Sequence, residues 1–502
     1  MANASRDYFT FLKKEGILLE QWIPDGEGER GRFIRGQLEK QLKRLGGDPR
    51  HIDTGLLKEV TNLVEAPLLF AGGFDRKYLT LPKEVLIASM AKYQRVFSVE
   101  DPRGKLLSHF VACANGSLAL SKVRKNYEQV LNARLEDAAF FYAEDSKRSF
   151  SERGNDLKLL VYHQKLGTMR DKSERMKQLV PHFIQEVRVD EKTLLRACAL
   201  AKNDLVTEMV KEFPSLQGVM GYYNAKAEGE SEEVSRALWE QYLPKGSDVH
   251  LPKTPLGASL SFLDKLDHLV GCFYASEFPT GSVDPYGLRR SANALFRILL
   301  DQKWKLSLTK LIGHQFDLFS SDSAESKLLE FLQEKLKSLF REKGYRPDLV
   351  DAVVTTIDEL PQMAGKLSSL NEMMKRRPDD FLAAYKVIER THNILKPLSP
   401  KEKREMGEVK PNLFQEELEK RLWDVYNKDK GSIQRLIHES AWTEATAQYG
   451  HSFSEILHQF FEKVLVNVED HPVRQNRLVL MKAINELYTE GVADLARLQM
   501  NR

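Results

Sequence analysis

Two short polar stretches have residue types and spacings that chemistry could use: Lys202-Asn203-Asp204 and Asp264-Lys265-Leu266-Asp267. Around the first, Leu194, Cys198, Ala201, Leu205 and Met209 recur every three or four residues. That spacing predicts one amphipathic helix running through the triplet and stopping at Pro214. Around the second, Leu263, Leu266, Val270 and Phe273 keep helical spacing, and Asp264 and Asp267 project from one side of that helix. Polar groups set into an apolar face must find partners, because each one buried unpaired costs about 1–3 kcal/mol. We therefore expect Lys202, Asp204, Asp264 and Asp267 to form a buried polar knot between two helices. The plainer reading of such a knot is a structural ion network, and the sharper one is a metal site.

The elements that would position these residues are mostly helical. The 502 residues suffice for three or four domains, and 42% are hydrophobic. No apolar run reaches the ~18 residues that crossing a bilayer needs. The N-terminal MANASRDYFTFLKKEG lacks the apolar core of a secretory leader, and Cys113, Cys198 and Cys272 lack metal-ligand spacing. They read as reduced core thiols in a cytoplasmic protein. Charge is nearly balanced, with 75 Lys and Arg against 72 Asp and Glu, so any RNA surface must be a local patch. Helices are predicted over Gly31–Leu45 and from Pro82, with strands over Leu68–Phe74 and Leu106–Ala114. A long helix follows from Lys122, with Val130, Ala133, Ala138 and Phe141 inward. Val464, Val466 and Val468 predict an extended connection before a final helix that Arg474, Asn476 and Arg477 open.

Several long blocks in order resemble the β subunit of the bacterial tetrameric glycyl-tRNA synthetase. They include VTNLVEAPLLFAGGFDRKYLTLPKEVLIASMAKYQRVF, LGTMRDKSERM and KNDLVTEMVKEFPSLQGVMGYYNA. GEGESEEVSRALWEQYLP, the Asp264–Asp267 helix, PTGSVDPYGLRR and KVIERTHNILK follow. The resemblance implies a mainly α, multidomain chain with four parts. Residues 1–120 would be the C-terminal part of an α/β module like the editing module of phenylalanyl-tRNA synthetase, and 121–320 a helical HD-like domain. Residues 321–400 would be a helical linker, and 401–502 an anticodon-binding bundle. The sequence departs from the family at Tyr93, where His is usual, and at Ala66, where Trp is usual. The family's opening segment has no counterpart here. On that ground residues 1–120 are expected to be the least stable part, with sheet edges unpaired.

HD-type phosphohydrolases hold metals with His and Asp to activate water. At the matching position this chain has Asn203-Asp204, and its 12 His include no His-Asp dipeptide. Asn is a poor replacement for an imidazole ligand, so the fold is expected to be a scaffold without a metal. No GxxxxGK[ST] loop and no Ser/His/Asp or Cys/His constellation is present, and no catalytic residue is assigned. The resemblance implies a chain that holds tRNA-Gly for a separate α subunit in an α2β2 tetramer, with no DNA or membrane partner. The α subunit would use ATP and Mg, this chain would bind no cofactor, and it would not aminoacylate alone. Arg170, Lys172, Arg289 and Arg290 are the implied acceptor-arm candidates. Arg390, Asn393, Arg474, Asn476 and Arg477 are the anticodon-arm candidates. The alternatives are a truncated or repurposed tRNA-binding protein, and a divergent metal-dependent HD phosphohydrolase. From Lys396 onward 16 Lys and Arg face 17 Asp and Glu, so the last module has no basic excess.

Overall fold

The computed structural model describes residues 10–14, 17, 28–116, 119–245, 250–319 and 324–500. The leader reading of the first sixteen residues therefore falls mostly outside them. The chain is mainly α-helical and forms two compact units. One comprises residues 1–177, 190–243 and 252–261; the other comprises 178–189, 244–251 and 262–502. Among the described residues no helix is long and apolar enough to cross a membrane. Cys198 and Cys272 are buried and Cys113 is half-buried, all as free thiols.

The first unit opens on an antiparallel three-stranded sheet of β1 (Pro67–Gly73), β2 (Phe97–Glu100) and β3 (Leu106–Asn115), with β3 central. Phe70 pairs with Ala112 and Phe97 with Val111. Successive side chains of β3 point to opposite faces. Val111 joins Ile34, Leu38, Leu57 and Val60 of the helices Glu29–Arg44 and Thr54–Leu63. Phe110 and Ala112 join Leu86 and Met90 of the helix Lys83–Gln94 and Leu131 and Leu135 of the next helix. Both faces are thus dry. Gly72 lies flat under the Phe110 ring, where a Cβ would come within 2.4 Å of a ring carbon.

The helix Leu120–Ser146 departs from its expected inward face in its first half. Leu131, Leu135 and Ala138 are buried, whereas Val130 is 48% exposed and Ala133 also faces out. Ala138 and Phe141 face inward as expected, and apolar residues on both sides of this helix mislead the periodicity only at Val130 and Ala133. The single helix expected across Lys202 is also corrected. It ends at Leu200, and Lys202 takes a left-handed backbone with φ 68°. A short 3₁₀ turn Asn203–Val206 follows, then the helices Glu208–Glu212 and Val219–Ala227. The polar triplet therefore lies at a break in the helix.

In the second unit, the helices Pro378–Leu395 and Trp442–Lys463 meet closely at Gly450. A Cβ there would stand 2.7 Å from the Ala384 nitrogen. The helices Glu417–His438 and His471–Thr489 complete this bundle. Tyr449 donates to the Ile484 carbonyl at 3.0 Å and its ring stacks on Tyr488. The valines from 464 to 468 form the non-helical connection read from the sequence.

Candidate nucleic-acid interface

The broken helix at Lys202 presents Asp204 inward. Its carboxylate accepts from the Gly218 N–H at 2.6 Å and from the Tyr242 hydroxyl at 2.9 Å. The Lys202 ammonium sits 4.0 Å from the centre of the Tyr242 ring. Burial pushes the Asp204 carboxyl above its ordinary value, with the Gly218 and Tyr242 hydrogen bonds and the Lys202 charge opposing the rise. Asn203 donates from Nδ2 to the Phe150 carbonyl at 2.9 Å. In the second unit, buried Asp267 accepts from Gln315 Nε2 at 2.8 Å. Asp204 and Asp267 each have a partner inside their own unit, and among the described residues no three His, Cys, Asp or Glu side chains group to hold a metal.

The acceptor-arm candidates differ in access. Lys172 is buried, with its ammonium 5.0 Å from the Tyr162 ring centre, so it is an interior residue. Arg170 is partly exposed and pairs with Glu174 at 2.8 Å. Arg289 donates to the Gly281 carbonyl at 2.6 Å, and Arg290 is exposed at the start of the helix Leu288–Gln302.

Two of the anticodon-arm candidates are corrected. Arg477 is 3% exposed and donates to both Glu419 oxygens, and Asn476 clasps the Lys410 backbone through its carbonyl and amide. Both are spent on holding the bundle together and neither faces an RNA surface. Burial alone would raise the Glu419 carboxyl. The Arg477 guanidinium and the Glu416 and Gln415 N–H groups overcome this and hold it below its ordinary value. Arg390, Asn393 and Arg474 remain accessible in whole or part. Arg390 donates to His458 Nδ1 at 2.9 Å and lines a notch of about 170 Å³ with Lys386 and Ser454.

A concavity of about 800 Å³ runs between the helices Glu417–His438 and His471–Thr489. One wall carries Trp423, Tyr426, Lys430 and Gln434, at the three- and four-residue spacing that puts them on one helix face. The Trp423 and Tyr426 rings stack 5.1 Å apart at 11°, and the Lys430 ammonium lies 5.3 Å from the Tyr426 ring centre. The other wall carries Lys482, Glu486 and Glu490, over a floor that includes Val479, Leu487 and Ile437. Gly491 closes one end against Ile437, to which a Cβ would come within 2.8 Å. Tyr426 is buried behind Trp423, which is partly exposed, and an accessible aromatic face beside lysines suits single-stranded nucleic acid, whose unstacked bases are sequence-tolerant stacking partners. None of these residues was singled out from sequence. The Trp423-Tyr426-Lys430 spacing within an amphipathic stretch was the available signal.

The family model described as glycyl-tRNA synthetase beta subunit matches residues 2–355, and that of the DALR anticodon binding domain matches 385–495. The groove lies within the second match. The chain is 35% identical over 501 residues to the glycine–tRNA ligase beta subunit of Halothermothrix orenii, covering 98% of this chain and 71% of that protein. It is 36% identical to the corresponding subunit of Clostridioides difficile, covering 98% of this chain and 70% of the relative. With that of Bacillus subtilis the identity is 35%, over 90% of this chain and 66% of the relative. The chain belongs to the glycyl-tRNA synthetase beta subunit family.

Proposed function

We propose that this chain is the tRNA-binding β subunit of a glycine–tRNA ligase, working with an α subunit that carries out ATP-dependent glycylation. The observation that carries this reading is the Trp423–Tyr426 groove, an aromatic surface of mixed charge within the DALR anticodon binding domain match. In this reading the groove takes unstacked anticodon bases. Arg390 and Arg474 contact the adjoining backbone, and Arg170, Arg289 and Arg290 serve the acceptor arm. Phosphate contacts of this kind fix register, while base contacts specify. Fixing the end of the tRNA at a partner's active site replaces a bimolecular encounter with an effectively intramolecular one, which supplies several kcal/mol of the barrier. This chain supplies no bond-making residue. ATP and Mg belong to the α subunit, the assembly is an α2β2 tetramer, and the complex works in the cytoplasm.

The test is glycylation of tRNA-Gly by this chain mixed with a matching α subunit, with each also assayed alone. Activity confined to the mixture is the expected result. A silent mixture that still binds tRNA would favour the repurposed tRNA-binding protein instead.

A further inference from the structure

We propose that Glu486 is the residue of this groove that selects cytosine, by accepting a hydrogen bond from the exocyclic amine of an anticodon base stacked against the Trp423–Tyr426 wall. This rests on the tRNA-binding reading above. The groove's charges are the starting point. Lys430 and Lys482 are set against Glu408, Glu486 and Glu490, so the lining has no cationic excess to draw in phosphates. A surface of that kind engages bases through their faces and edges, and leaves backbone neutralisation to cations elsewhere.

The three carboxylates are not equivalent. Glu408 and Glu490 are exposed, whereas Glu486 is partly buried between Lys482 and the groove floor. Its nearest charged partner, Lys482, is 3.7 Å away, longer than a close charge-assisted hydrogen bond. Burial, reinforced by Glu490, pushes the Glu486 carboxyl up, against the opposing charges of Lys482 and Lys403. The carboxylate is therefore partly desolvated and has acceptor capacity to offer a ligand.

A carboxylate is an acceptor-only group when ionised, and its base-edge partner is the N4 amine of cytosine. Uracil places a carbonyl oxygen at the same position, so oxygen would face oxygen and the pair is repulsive. Glycine codons begin with two guanosines, so the anticodons that read them carry two cytosines. The groove's volume is within the range that accommodates a small ligand, enough for a nucleobase. Stacking on the partly exposed Trp423, whose ring is backed by the buried Tyr426, would supply sequence-independent affinity, and Glu486 would supply the choice of pyrimidine.

The experiment measures binding of the full chain to synthetic anticodon stem-loops that carry either two cytosines or one cytosine-to-uracil replacement. The wild type should prefer the two-cytosine loop by about ten- to hundredfold. Glu486→Gln offers an amine as well as a carbonyl and should bind both loops within a few-fold of each other. Trp423→Ala should weaken both loops equally, by about tenfold or more. Unchanged thermal unfolding of each variant confirms that it is folded. If Glu486→Gln discriminates as sharply as the wild type, the assignment of Glu486 is overturned while tRNA binding stands. If the wild type binds no stem-loop and Trp423→Ala leaves binding of whole tRNA-Gly unchanged, the groove reading fails and takes the assignment with it.

Discussion

Arg477 and Glu419 form an ion pair inside the C-terminal bundle, at 3.0 Å from Nε and 3.2 Å from Nη2, with the glutamate side chain fully buried. The same carboxylate accepts from the Gln415 and Glu416 backbone N–H groups at the start of the helix Glu417–His438. Arg477 also donates to the Leu465 carbonyl. One buried charge pair therefore joins a helix start, the extended connection and the final helix.

Removing one partner should cost far more than removing both. Arg477→Met strands a buried carboxylate, and we expect a loss of about 3–5 kcal/mol. The double change Glu419→Leu with Arg477→Met should recover most of that loss. Urea unfolding of the wild type, both single variants and the double variant measures this. The pH dependence has a defined sign. Glu419 lies below its ordinary value of 4.5 when folded, so its contribution is present above the unfolded value and is lost as pH falls through the folded one. The double variant should lose less stability than the wild type on acidification through that window. Equal losses in the two proteins would contradict the assignment.

How far the sequence led is visible in this same pair. Apolar periodicity correctly placed the helix Glu29–Arg44, because it has one dominant stripe. The strands β1 and β3 were legible from their apolar runs between turn residues. A basic residue on a helix, however, reads the same whether it faces solvent or a buried glutamate 58 positions away. The resemblance implies RNA contacts for Arg477 and Lys172, and for the polar Asn476, and nothing in their residue types shows that all three are buried. The break at Lys202 was hidden because the apolar spacing from Leu194 to Met209 continues across it, while the chain itself turns on a left-handed residue. Aromatic residues at helical spacing, such as Trp423 and Tyr426, look alike in sequence whether core or surface; Tyr426 is core, and only the groove beside it gives Trp423 another role.

Asp204 offers a test of whether the polar centre at the Lys202 break is structural. Asp204→Ala leaves the Gly218 N–H and the Tyr242 hydroxyl without their acceptor, at about 1–3 kcal/mol each. Asp204→Asn should lose less, since its oxygen can accept from Gly218 while its amide donates to the Tyr242 oxygen. Because burial raises the folded carboxyl, its stabilisation is full below the unfolded value and is lost as pH rises through the folded one. The gap between the wild type and Asp204→Asn should therefore narrow toward higher pH. A chelator should leave the melting temperature of the wild type unchanged. A chelator-sensitive melting temperature would instead restore the metal reading of this centre.

The accessible arginines should separate from the buried one by their salt dependence. Each phosphate contact contributes a slope of about −0.7 to −0.9 to log affinity against log salt. Arg390→Ala removes a partly exposed guanidinium from the Lys386–Ser454 notch, where it is held by one bond to His458. We expect weaker binding of tRNA-Gly with a slope shallower by about one unit, and stability close to that of the wild type. Arg474→Ala should behave in the same way. Arg477→Ala should lower stability, because its partner Glu419 is buried. At temperatures where that variant remains folded, it should keep the wild-type slope. Filter binding or anisotropy across a salt series reads all three. A normal slope for Arg390→Ala with a reduced one for Arg477→Ala would reverse the division between RNA-facing and bundle-holding arginines.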